Sequence, residues 1–225
     1  MPLAPEDLAA HRLVLPLMPG IAPGPQVEVQ GGQAYLRFGA WCSEAESWTA
    51  IVCEERVLAQ HGYFQAESVS RRRQGTVGEP FVLPGGRMVR LRGAGVVVMD
   101  APASSRLELV HLDDADVLYV RESAVVAFSG GLHWENGSIP GQGASPAMVQ
   151  LAGQGAVLLV SRDVHCIPVR PQAPLVVRRS ALVGWMSAVV VSPHTTLDGP
   201  FVLCEGEGTA LIEARSSALS IERQG

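Results

Sequence analysis

The chain has 225 residues, and 47% of them are hydrophobic against 17% charged, which excludes a disordered polymer. A length of this order lets one domain bury about 70% of its unfolded surface. The net charge of −5 removes the electrostatic footing of a general nucleic-acid binder. All seventeen basic residues are arginine, so every positive charge is a planar guanidinium fork.

The first residues, MPLAPEDLAAHRLVLPLMPG, lack the basic start and long apolar stretch of a secretory signal. No apolar run approaches the roughly eighteen residues a membrane helix needs. Cys42, Cys53, Cys166 and Cys204 form no CxxC and no metal-finger spacing. Together these features imply a cytoplasmic protein with reduced thiols and without a membrane span. Residues 1–26 form a Pro-rich arm in which Pro16, Pro19, Pro23 and Pro25 forbid a regular element. The arm either packs on the chain's own sheets or docks on another subunit through Leu13, Leu15, Leu17 and Met18.

From residue 27 onward the periodicity is that of short strands. VEVQGGQAYLR alternates around Gly31-Gly32 as a hairpin does. IVCEERVLA (51–59) resembles YVRESAVVA further on, and AWCSEAESW before it has no strand period. Arg71, Arg72 and Arg73 then stand together in a linking segment. They are either a solvated charge run or a patch for phosphates and acids.

A repeat follows. MVRLRGAGVVVM (88–99) matches MVQLAGQGAVLL (148–159), and FVLCEGEGTALI (201–212) opens the same way. LYVRESAVVAF (118–128) matches LVVRRSALVGW (175–185). The glycine pairs Gly93/Gly95, Gly153/Gly155 and Gly206/Gly208 therefore stand in register, each between two strands, and are read as structural. A phosphate-cradling loop would need a helix start after the glycines, and strand follows strand here. The copies read as about 27–84, 85–147 and 148–200, closed by strands in 201–225, all within one β domain spanning 27–225. Gly130-Gly131 and Asn136-Gly137 carry turn chemistry, the latter that of a two-residue hairpin. The fold class is all-β, a sandwich of about three pseudo-repeats around a pseudo-threefold axis.

The Gly-x-Gly strand pair followed by a V-x-x-S-A strand resembles the AIM24 family over residues 85–213, more weakly back to 27. The resemblance implies a β-sandwich fold similar to the tryptophan-RNA-binding attenuator protein. It carries no catalytic residues and no cofactor.

His133 and Glu135 share one face of a strand but lack the further histidines of a cupin-type metal site. His165 and Cys166 point to opposite faces, Cys204 reads as inert core, and Asp113, Asp114 and Asp116 read as a solvated turn. No hydrolase motif is present. The expectation is a non-catalytic binding or scaffolding protein without a cofactor, acting on a protein partner or on itself. The alternative is a small-ligand or nucleic-acid module, by analogy with the attenuator protein.

Overall fold

The computed structural model describes residues 26–38, 49–139, 146–194 and 200–213. The arm with Leu13, Leu15, Leu17 and Met18, the AWCSEAESW stretch with Cys42, and Gly143 lie outside the described residues. Among the described residues every regular element is a strand, apart from two 3-10 turns. The all-β reading holds.

β1 (Gln26–Gln30) and β2 (Gln33–Phe38) are a hairpin closed by Gly31 and Gly32, at φ +60° and +83°. Positive φ at both central residues is what the twist of a two-residue hairpin demands. β3 (Thr49–Cys53) passes through the 3-10 turn Glu54–Arg56 into β4 (Val57–Ser68). β5 (Ser70–Arg73) and β6 (Thr76–Pro80) form a small hairpin of their own, and β7 (Val82–Leu83) leads into β8 (Gly86–Asp100). Next come β9 (Arg106–Leu112), β10 (Val117–Arg121), the 3-10 turn Glu122–Ala124, β11 (Val125–Ser129) and β12 (His133–Ser138). β13 (Ala147–Ala152) and β14 (Gly155–Ser161) follow. The chain then forms β15 (Val164–Val169), β16 (Leu175–Arg178), β17 (Leu182–Pro193) and β18 (Phe201–Glu213).

Two large sheets result. The first runs β1-β2-β8-β3-β11-β14-β9, with β4 and β7 also on β8; β9 comes back against β1, so the sheet is nearly a closed barrel. The second runs β12-β13-β10-β17-β18-β15, with β16 also on β18. β8 carries β4 along one edge, while β3 pairs with Met88–Arg92 and β2 with Gly95–Asp100 on the other. β18 is flanked in the same manner by β17 on one edge and by β16 and β15 on the other.

The glycine pairs correct one expectation. Only Gly153/Gly155 lie at a turn, between β13 and β14; Gly93/Gly95 lie inside β8 and Gly206/Gly208 inside β18. There the reason for glycine is close approach. A Cβ at Gly93 would overlap the Tyr63 carbonyl oxygen, and one at Gly95 that of His61. Gly206 meets Ala188 and Gly208 meets Met186 likewise. Asn136-Gly137 corrects another: both residues lie inside β12, and the turn before that strand is at Gly130-Gly131. Hairpin chemistry at Asn136 is overridden because its side chain is buried and bonded elsewhere.

Among the described residues the core forms three clusters of mostly Val, Leu and Ala. TAIVC and VVAFS read as continuous apolar runs because they are buried on both faces. Ile51, Val125 and Phe128 face the cluster shared between the sheets, whereas Val52, Val126 and Ala127 face the cluster within the first sheet. A third cluster, around Trp185, Val202 and Cys204, belongs to the second sheet.

Candidate functional site

The three consecutive arginines are neither a solvated run nor a common patch. They are the last three residues of β5, and alternation along a strand sends neighbours to different faces. Arg71 turns inward: its Nη1 donates to Glu122 Oε1, its Nη2 donates to the Val82 carbonyl at 2.8 Å, and its Nε lies 3.6 Å from Glu79 Oε1. The guanidinium also lies over Phe81, 5.2 Å from the ring centre. Arg73 is the exposed member and lies 3.9 Å from Glu79.

Glu122 is 3% exposed, and a buried carboxylate needs partners for both charge and lone pairs. Besides Arg71 it accepts from Asn136 Nδ2 at 2.8 Å. Asn136 Oδ1 accepts from the Arg72 backbone N–H at 2.8 Å, and Glu135 Oε1 accepts from the Gly75 N–H at 3.1 Å. The β5–β6 hairpin is thus clamped onto β12 by a buried polar chain of four groups.

The clamp places Arg72 over Trp134, with its guanidinium carbon 4.1 Å from the ring centre. Arg90, from β8, lies 5.8 Å from the same ring centre. Trp134 is itself buried against Phe128 in an edge-to-face contact, centroids 5.7 Å apart. Glu67, Ser68, Val69, Ser70, Val77 and these three residues line an open groove of about 210 Å³. No carboxylate of the described residues lies within ion-pair distance of Arg72 or Arg90. The Trp134 Nε1 donor is buried and lacks a partner among them.

His133 and Glu135 do share the outer face of β12, His133 exposed and Glu135 holding the hairpin, and among the described residues no third ligand joins them. Asp113 and Asp116 close their own turn through the Asp113 N–H and Asp116 Oδ2 at 3.2 Å. Cys53, Cys166 and Cys204 are free thiols. Burial pushes the Cys204 thiol up to about 11 and raises that of Cys53, so both are held as neutral core groups. Cys166 is exposed on β15. Ser129 accepts from the Ala156 N–H at 3.0 Å and joins strands.

Trp134, Arg90 and Glu122 did not stand out in the sequence, and Asn136 stood out only as a turn residue. One signal for two of them was present: if His133 and Glu135 face outward, Trp134 and Asn136 must face inward. Arg90 comes from β8 and Glu122 from the 3-10 turn before β11, and no local pattern joins them to Trp134.

The comparisons fit this architecture. The chain is similar to protein SPYM3_0169 from Streptococcus pyogenes at a TM-score of 0.62, with 10% identity, over 84% of this chain and 92% of that one. At that identity the likeness shows the fold alone. No curated protein matches the sequence. The family model described as mitochondrial biogenesis AIM24 matches residues 54–215, which takes in the clamped hairpin, the second large sheet and the first from β4 onward, and the chain belongs to the AIM24 family.

Proposed function

We propose that this protein is a non-catalytic binding or scaffolding module that assembles with a protein partner, in the simplest case a second copy of itself. The observation that carries this is the edge of β4. Among the described residues β4 pairs only with β8, so along this strand of twelve residues every second one, Phe64 left aside, turns its backbone donor and acceptor to the far edge. Long edges are normally blunted by Lys, Pro or inward charges. β4 has no Lys or Pro and instead exposes Leu58 and Tyr63, the latter 91% exposed. Such a strand accepts another strand in continuation of the sheet.

The reading extends to the arm at residues 1–25, whose Leu13, Leu15, Leu17 and Met18 are apolar enough to seek a surface. It also extends to the repeat: the matching environments of β8 and β18, which open the copy at 85–147 and the closing strands at 201–225, support successive units of one pattern. Three free thiols support a reducing, cytoplasmic location. No helix of the described residues is long and apolar enough to cross a membrane. A nucleic-acid role has less support, because Arg71 is committed to Glu122 and Glu79.

Light scattering on the full chain tests the proposal. We expect a mass above the 23.8 kDa of one chain, returning to it in Leu58→Arg and Tyr63→Arg. Deleting residues 1–25 should leave a folded β-core with altered assembly. A single-chain mass at every concentration, with no protein retained by the immobilised chain from its native lysate, overturns it.

A further inference from the structure

The groove over Trp134 gathers two arginines that no carboxylate of the described residues neutralises, unlike those that lie beside glutamates. Arg37 lies near Glu28, Arg87 near Glu54, Arg71 near Glu122 and Glu79, and Arg73 near Glu79. Arg72 and Arg90 have only the one indole ring, that of Trp134. Their guanidiniums can be no further apart than the two ring distances together, so two positive charges share a small volume. Cation–π contact offsets part of that repulsion and leaves the N–H forks unsatisfied. The Arg90 Nε is buried without a partner, as is the Trp134 Nε1.

The one carboxylate on the rim is Glu67, opposite Arg90 in the β4–β8 register. It is exposed and outside ion-pair distance, so it leaves the pair uncompensated. Ser68 and Ser70 add hydroxyl groups to the wall. The wall thus carries two forks, two hydroxyls and the Trp134 ring around an opening of about 210 Å³. That set is rich in donors and has a single acceptor side chain of formal charge. Guanidinium forks match the oxygens of phosphate and carboxylate groups bidentately. The clamp of Arg71, Glu122 and Asn136 fixes the Arg72 backbone, so the fork is held in place before any ligand arrives.

We propose that this groove binds the oxyanion group of a small molecule, a phosphate or a carboxylate, between Arg72 and Arg90. The site stands apart from the assembly reading, since a single chain supplies all of it. Neither pairing nor partner is needed.

The test is isothermal titration of the full chain with inorganic phosphate and, separately, with succinate, each against chloride at matched ionic strength. The Trp134 indole N–H is followed by NMR in the same buffers. We expect saturable binding of at least one anion, a shift of the Trp134 indole resonance, and about tenfold weakening in both Arg72→Gln and Arg90→Gln. Arg73→Gln, the exposed neighbour, should bind as the parent does. Phosphate alone binding assigns the site to phosphate groups, succinate alone to carboxylates, and both to oxyanions in general. Circular dichroism checks the fold of each variant; should Arg90→Gln unfold, Arg90→Lys replaces it and must still weaken binding through loss of the fork. No heat with either anion up to about 20 mM overturns the proposal. So does an unmoved Trp134 resonance, or equal weakening by Arg73→Gln.

Discussion

Gly95 lies so close to His61 on the neighbouring strand that a Cβ on the glycine would overlap the His61 carbonyl oxygen. Gly95 also sits at φ +137°, a conformation L side chains rarely adopt. β8 can continue through this point with β4 beside it only while position 95 lacks a side chain.

Gly95→Ala should therefore destabilise by about 3 kcal/mol or more, from backbone strain and overlap together. Gly137 is the control. It also lies in a strand, but nothing stands within 4 Å of its missing Cβ. Gly137→Ala should shift stability by no more than about 0.5 kcal/mol. Urea midpoints compare the two, and equal values would show that close approach at Gly95 carries no weight.

The clamp makes a second prediction. Removing one partner of a buried ion pair leaves the other desolvated, a loss of about 3–5 kcal/mol. Glu122→Gln keeps the shape, removes the charge facing Arg71 and should fall near the lower end, because the Arg71 side chain keeps 14% exposure. The double variant Glu122→Gln with Arg71→Met should be less destabilised than the sum of the two singles. Additive losses in thermal or urea melts would mean the two residues do not act together.

Thiol chemistry supplies a third. In a Cys42→Ser background, Cys166 should react quickly with an aromatic disulfide reagent at pH 8, since it is exposed. Cys204 should stay protected until the chain unfolds, because its thiol is pushed up to about 11 and its side chain is fully covered. Cys53 should behave like Cys204: burial, and to a lesser degree the nearby Glu55 carboxylate, raise its thiol. Counting modified thiols before and after adding urea reads the result. One fast thiol is expected, and three would contradict the packing.

His111 gives the fourth. Burial lowers its pKa from the ordinary 6.5, partly opposed by the Asp113 carboxylate. The unfolded chain therefore binds a proton more readily than the folded one in the window below 6.5. Stability from neutral His111 is fully present above pH 6.5 and is lost as the pH falls from there toward the lowered folded value. His111→Gln should flatten the stability profile in that window relative to the parent. Parallel profiles between pH 7 and 5 would show that the burial of His111 has no such consequence.

The sequence by itself determined the all-β class and the position of most strands. Alternation and turn residues are local signals, and they fixed the Gly31-Gly32 hairpin and the Gly130-Gly131 turn. It also determined the family, through the V-x-x-S-A strands and the glycine pairs. The same Gly-x-Gly text, however, became a turn at 153–155 and the interior of a strand at 93–95 and 206–208. That choice depends on the neighbour: β4 and β17 run unbroken past β8 and β18, whereas the chain facing β13 and β14 is itself broken between β11 and β12. Asn136 carries hairpin chemistry and lies in mid-strand, because Glu122 and the Arg72 backbone take up its side chain. Which of three adjacent arginines is neutralised, exposed or stacked on Trp134 was likewise decided only by tertiary packing. Pairings between residues fourteen to sixty-four positions apart leave no periodic trace in the chain, since each is the meeting of strands whose partners are chosen by the whole sheet.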